Sequence, residues 1–166
     1  MYAVTKLAGE HCALAHGSDC LVVRTSGLYG LQASASKGGS FVQWMIARAR
    51  EAGRIRIVAD QVLQPTYTAD LAAAIIAVVE RGAQGVVHLT AGCSCSWFQF
   101  TQAMELAGIE VALEPTATRV SPAADRPLNG VPARPNADAH GLPRLRHWRD
   151  ALADCMRSAT LIANVT

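Results

Sequence analysis

The sequence predicts an α/β chain, and three observations carry that expectation. Short apolar runs suited to buried strands, CLVVRTS and GVVHL, alternate with stretches of helical periodicity. Gly-, Ser- and Pro-rich clusters punctuate the boundaries. No internal repeat or low-complexity tract interrupts the alternation, and strands alternating with helices are the signature of an α/β arrangement.

From Val4 to His16, VTKLAGEHCALAH places Ala and Leu at helical spacing, and Gly17-Ser18-Asp19 stops the helix. The apolar run at 20–25 is too short for a helix and reads as a buried strand. GLYGLQASASKGG is a loop, and it lacks the G-x-x-x-x-G-K-[ST] order of a phosphate-cradling turn. A second helix is expected from Ser40 to Ala52, ending at Gly53, followed by the alternating strand RIRIV. In the loop DQVLQPTYTAD, Thr68 or Asp70 can cap a helix over Leu71–Arg81. The run 85–89 is another buried strand, and Ser96 starts a helix that closes at Gly108. Extended pieces are expected around Val111 and Thr116, then an irregular segment from Pro122 to Pro143. A last helix over His147–Ser158 carries Trp148, Leu152 and Met156 on one face, and 159–166 reads as a loose tail.

Only the runs 20–25 and 85–89 suit the interior of a parallel sheet, which normally carries helices on both faces. Two parallel strands do not make a stable domain alone. The two are therefore expected in one sheet whose edge or face lacks its natural neighbours.

At 166 residues, 51% hydrophobic and 17% charged, the chain reads as globular. Its net charge of +2 leaves no extended basic face. The densest basic stretch, RLRHWRD with Arg144, Arg146 and Arg149, reads as a solvated helix start, so no nucleic-acid partner is expected. The 5 cysteines are scattered and odd in number, which argues against a disulfide framework and for reduced thiols in the cytoplasm. Cys93 and Cys95 lack further ligands at zinc spacing, so no metal is expected. LAAAIIAVV is too short to span a bilayer, and the N-terminus has no signal-peptide core.

The chemistry rests on Tyr2 and Lys6 in MYAVTKLAGE, which a helix places on one face. A phenol ordinarily titrates near pH ~10 and is a poor proton donor at neutrality. An adjacent ammonium and a helix N-terminus both favour the phenolate, so such a pair makes a tuned acid for a developing oxyanion. The same spacing also occurs on ordinary exposed helices.

The order of further blocks separates these readings. YAVTKLAGE, LVVRTSGLYG, GGSFVQWMIARA, RIVADQVLQPTYTADLAAAI, GVVHLTAG followed by CSCSWFQFTQAM, DRPLNG and LRHWRDAL occur in succession. This succession resembles the C-terminal half of the extended short-chain dehydrogenase/reductases, most closely the dTDP-4-dehydrorhamnose reductase family. The resemblance implies a partial Rossmann-type parallel sheet plus a small α/β substrate-binding domain. Residues 1–158 would be the catalytic and substrate-binding part, with the glycine-rich dinucleotide-binding units lying before Met1; no G-x-x-G-x-x-G occurs in the sequence.

By the same resemblance, Tyr2 is the catalytic acid, and Lys6 supports it and holds the nicotinamide ribose. Thr25 and Ser26 line the cofactor, NADP(H). Gly27, Phe41, Gln61, Thr66 and Arg126 face the nucleotide sugar, with Arg126 near its diphosphate. The family usually carries tryptophan where Gly27 stands, and glycine is expected to remove a wall of the pocket. Read from the residues alone, Phe41 and Trp44 are core, Asp60 and Gln61 turn residues, and Arg126 a solvated charge. Trp97 and Trp148 are packing residues, and His88 a hydrogen-bonded core histidine.

The implied activity is NADPH-dependent reduction of a 4-keto sugar in dTDP-L-rhamnose synthesis, expected to be absent from this chain alone. A homo-oligomer or association with a missing N-terminal half is the implied assembly. Two rivals stand beside it: a non-enzymatic regulatory subunit like that of methionine adenosyltransferase, and an epimerase or reductase acting on another sugar nucleotide.

Overall fold

The computed structural model describes residues 1–17, 19–31, 39–104, 109–118, 127–133, 141–142 and 144–163. Helix α1 (Tyr2–Ala15) is followed by β1 (Leu21–Arg24), β2 (Leu28–Tyr29), α2 (Phe41–Glu51) and β3 (Arg54–Val58). The next elements are β4 (Val62–Leu63), β5 (Thr66–Tyr67), α3 (Thr68–Glu80), β6 (Gly85–His88) and β7 (Cys95–Ser96). The order closes with α4 (Trp97–Ala103), β8 (Ala112–Thr116) and α5 (Trp148–Ala163).

Among the described residues the strands pair two by two. β1 lies parallel to β6, with Leu21 opposite Gly85 and Arg24 opposite His88, so the two apolar runs do share one parallel sheet. β2 pairs parallel with β5, and β3 parallel with β8. β4 and β7 form an antiparallel pair. Each parallel pair is non-consecutive in the chain, because parallel strands need a crossover between them. The result is the mixed α/β architecture that the alternating pattern predicts.

The helix starts follow local chemistry. Ser40 and Ser96 each accept a hydrogen bond from the backbone N–H three residues on, and Gln43 and Gln99 reach back to the cap N–H. These reciprocal capping boxes satisfy otherwise orphaned donors. α3 departs from expectation. It begins at Thr68, with Tyr67 at the cap and no side-chain cap bond, because Asp70 is engaged elsewhere. α5 also runs past the expected end at Ser158 to Ala163. The segment ATLIA contains neither glycine nor proline to stop it.

Two clusters form the interior. The larger joins Val42, Met45 and Ala49 of α2 with Ile55 and Ile57 of β3, Phe100 of α4, and Trp148, Leu152 and Cys155 of α5. The smaller packs Leu71, Ala74 and Val78 of α3 against Val87, Leu89, Leu142 and Leu145. Trp148 and Leu152 are core, as their shared helical face predicts, and Trp97 packs against them. Trp44 is not core: it is 55% exposed, because α2 turns Val42 and Met45 inward instead.

α1 differs from every other long helix in that none of its residues is buried. It meets the rest of the chain through β1. Val4, Leu7 and Leu14 stay exposed on it, as do Ile76 and Val79 on α3. No described helix is long and apolar enough to cross a membrane.

Candidate active site

Tyr2 opens α1, and one turn later Lys6 returns to the same face, with its Nζ 5.6 Å from the centroid of the Tyr2 ring. The cation therefore sits within cation–π range of the phenol. Tyr2 is 77% exposed, so its hydroxyl is open to an incoming group. The Thr5 hydroxyl donates to the Tyr2 carbonyl at 2.9 Å and tightens this first turn.

The carboxyl end of β1 carries the next expected residues. In open α/β sheets this end is where ligands bind. Thr25 places a buried Oγ1 there with no hydrogen-bond partner. The Ser26 hydroxyl donates to the Gly130 carbonyl at 2.9 Å, and the Thr66 N–H donates to the Gly27 carbonyl at 3.1 Å. These bonds draw together the β1–β2 turn, the start of β5 and the 127–133 segment.

Gly27 lies where the β1–β2 turn comes close to the segment before β5. Its φ is +56°, and a Cβ would lie 2.6 Å from Leu63 Cδ1 and 3.2 Å from both the Gln64 carbonyl oxygen and Pro65 Cα. A side chain at position 27 would adopt a left-handed backbone and require Leu63 and the 64–65 backbone to give way, so this close approach of two chain segments favours glycine.

Thr66 is fully buried. Its hydroxyl donates to the Gln64 carbonyl at 3.1 Å and accepts from the Ala91 N–H at 3.2 Å. Gln64 in turn accepts from the Thr90 hydroxyl at 2.9 Å. The structure thus places Thr66 in a satisfied polar knot beneath the surface. Short-range sequence signals could not have revealed Thr90 and Ala91 as its companions, because they lie about 25 residues further along the chain.

Phe41 begins α2 and sets its ring 4.6 Å from Trp97 and 6.0 Å from Phe100. Tyr29 stacks on Tyr67 at 5.6 Å and meets Phe100 edge-on at 4.9 Å. The Tyr29 hydroxyl is buried without a partner, and burial pushes its pKa up. Asp60 and Gln61 form a junction with the end of β8. Asp60 accepts from the Thr118 N–H at 2.9 and 3.0 Å and from the Thr118 hydroxyl at 2.7 Å. Gln61 Nε2 donates to the same hydroxyl at 3.0 Å. These bonds hold the Asp60 carboxyl below its usual range. Arg126 lies outside the described residues.

Arg146, expected as a solvated charge, is a clamp. It donates to both Asp70 oxygens, at 2.8 and 3.0 Å, and also to Asp154 on α5. Arg149 lies over the Trp148 ring at 4.7 Å. His88 is hydrogen-bonded as expected, to the Ala133 carbonyl, but it is half-buried at the end of β6 rather than in the core. Among the described residues, no group of three or more His, Cys, Asp or Glu side chains is placed to hold a metal ion.

Comparison with known proteins agrees with this arrangement. A dTDP-4-dehydrorhamnose reductase of Mycolicibacterium smegmatis is 36% identical over 160 residues, covering 94% of this chain and 48% of the relative. A dTDP-4-keto-6-deoxy-D-glucose reductase of Streptomyces niveus is 34% identical over 161 residues, covering 91% of this chain and 52% of the relative. The crystal structure of dTDP-4-dehydrorhamnose reductase from Bacillus anthracis in complex with NADP superposes with a TM-score of 0.84 at 30% identity. That match covers 95% of this chain and 54% of the other. The chain thus spans about half the length of the relatives it matches. The RmlD substrate binding domain family matches residues 1–161, and with the Tyr2–Lys6 helix, the parallel strand pairs and these relatives in agreement, the chain belongs to that family.

Proposed function

We propose that this chain is the catalytic-helix and substrate-binding part of an NADPH-dependent sugar-nucleotide reductase of the dTDP-4-dehydrorhamnose reductase type. The observation that carries the proposal is the Tyr2–Lys6 pair, seated together on one exposed face of α1 next to β1. The orphaned Thr25 hydroxyl at the end of that strand is the kind of buried polar group a bound ligand satisfies.

In this reading bound NADPH supplies the hydride that reaches the keto carbon of the sugar. The Tyr2 hydroxyl gives its proton to the former carbonyl oxygen, so no free alkoxide is left. The Lys6 ammonium stabilises the phenolate that remains. Thr25 and Ser26 would lie along the nicotinamide and ribose, while Gly27, Phe41, Gln61, Thr66 and Arg126 are assigned to the nucleotide-sugar side. Of these, Gly27 and Thr66 would act through the backbone they position, Gly27 because its left-handed φ favours glycine and Thr66 because its hydroxyl is already used. The free cysteines suit a cytoplasmic setting.

The cofactor's pyrophosphate needs a glycine-rich turn that opens a helix, and no G-x-x-G-x-x-G occurs in this sequence. Holding the nicotinamide in reach of the carbonyl is worth several kcal/mol of barrier. The 166-residue chain alone should therefore not turn over dTDP-4-dehydrorhamnose with NADPH. Adding the unmatched N-terminal half of a close relative, fused or as a separate chain, should restore NADPH oxidation that Tyr2→Phe then abolishes. Turnover by the isolated chain would overturn the division of labour. Restored activity that survives Tyr2→Phe would overturn the role of Tyr2.

A second reading has one specific support: the Streptomyces niveus relative is named for a different 4-keto sugar. Comparing dTDP-4-dehydrorhamnose with dTDP-4-keto-6-deoxy-D-glucose in the complemented enzyme separates the two substrates by kcat/KM.

A further inference from the structure

We propose that Glu10 and Arg24, backed by His88, are positioning residues that set the pose of the helix carrying Tyr2 and Lys6. This inference rests on the reading of that pair as the proton-transfer group.

The problem the molecule has to solve is evident from α1 itself. A helix is normally held in register by its buried apolar stripe. None of the residues of α1 is buried, so side-chain packing among the described residues does not fix its roll about its own axis. What does reach across is a fork. The Glu10 carboxylate accepts from Arg24 Nε at 3.0 and 3.1 Å and from Nη2 at 2.6 Å. A two-pronged guanidinium–carboxylate pair constrains direction as well as distance, which a lysine ammonium would not.

The anchor end lies in the β1–β6 pair. Arg24 closes β1 and lies opposite His88 in the parallel register. Its Nη1 is 3.5 Å from His88 Nε2, and His88 Nδ1 meets the Ala133 carbonyl. With the Nδ1 hydrogen directed at that carbonyl, Nε2 is left as an acceptor for Arg24; the tautomer follows from these partners. The connection therefore runs from α1 through β1 and β6 to the 127–133 segment.

The helical phase makes the connection useful. Glu10 stands one turn beyond Lys6 and two turns beyond Tyr2, so all three share a face. Fixing Glu10 fixes the direction in which the phenol and the ammonium point. The Arg24 pairing also draws the Glu10 carboxyl below its ordinary range. Arg24 and Glu10 are 43% and 20% exposed at the side chain, which leaves the pair screened by water. Its weight therefore falls on geometry rather than on stability.

Hydrogen exchange of the full 166-residue chain tests the inference without any need for activity. In Glu10→Gln, amides of α1 should exchange about tenfold faster, while those of α3 remain as in the parent chain. Glu10→Asp, which keeps the charge, should recover part of the protection. Unchanged protection of α1, or equal acceleration in α1 and α3, would overturn the proposal, the latter by revealing a merely general loss of stability. In the complemented reductase, Glu10→Gln should lower kcat by about 10- to 100-fold with KM for the sugar nucleotide nearly constant, since a misplacement of about 1 Å costs that much. An unaltered kcat there would sink the positioning role while leaving the reductase reading intact. A complemented parent enzyme without activity would instead count against the reductase reading, and the exchange result would still decide whether the fork holds the helix.

Discussion

Position 27 shows how much one residue can depend on its surroundings. Left-handed backbone costs an L-residue about 1–2 kcal/mol relative to glycine. Here the nearest neighbour of an added Cβ, Leu63 Cδ1, would have to move as well. Gly27→Ala should therefore lower the unfolding free energy by about 1–3 kcal/mol in a urea titration. A neutral substitution would mean that the turn takes another course. Thr66→Val preserves shape but removes the hydroxyl that bonds the Gln64 carbonyl and the Ala91 N–H. Leaving those buried groups unpaired should cost about 1–3 kcal/mol, and the same titration reads it. The exposed Tyr2–Lys6 pair obeys short-range rules and was legible from its spacing. The knot around Thr66 was not, because Thr90 and Ala91 reach it only after the chain folds.

At the scale of elements, α2 and α5 each place three buried residues in the larger core. Trp148 is 2% exposed, with its ring 5.8 Å from Phe100. Trp148→Ala should cost about 3–5 kcal/mol, seen as an earlier loss of helical circular dichroism in denaturant. Acid should act at the junctions between elements. Glu10 beside Arg24, Asp60 beneath Thr118 and Asp154 beside Arg146 all have carboxyls held below their ordinary values of 4.5, 3.8 and 3.8. A depressed folded-state pKa means that the unfolded chain binds more protons in this range. The stabilisation is thus complete above the ordinary values and lost as the pH falls through the lower folded ones. The urea midpoint should decline from about pH 5 downward, in the manner of acid unfolding. Asp60→Asn should make that decline shallower, and an identical pH profile in this variant would refute the Asp60 contribution.

The whole molecule presents apolar surface that a self-sufficient domain would cover. β1 pairs with β6 alone among the described strands, and α1 leaves Val4 and Leu7 exposed. α3, apolar almost all round, leaves Ile76 and Val79 outward at 59% and 58% exposure. A helix of that composition is normally buried on every side. We expect the isolated chain to self-associate in sedimentation velocity, with association relieved when the complementary half is supplied. A monodisperse monomer that melts cooperatively would contradict this expectation.

The sequence by itself determined the alternation of elements, the capped starts of α2 and α4, the pairing of the two apolar runs and the helical face shared by Tyr2 and Lys6. Each depends on spacing along a short stretch of chain, where residue chemistry acts directly on the backbone. The tertiary structure alone decided that Arg146 clamps Asp70 and Asp154, that Gly27 exists for close approach, and that Thr66 lies inside a polar knot. It also decided that Glu10 on α1 would meet Arg24 at the end of β1. The decisive contacts, Arg146 with Asp70, Thr66 with Ala91, Gln64 with Thr90 and Glu10 with Arg24, cross between elements, and no local periodicity encodes which distant partner a charge or a hydroxyl will find.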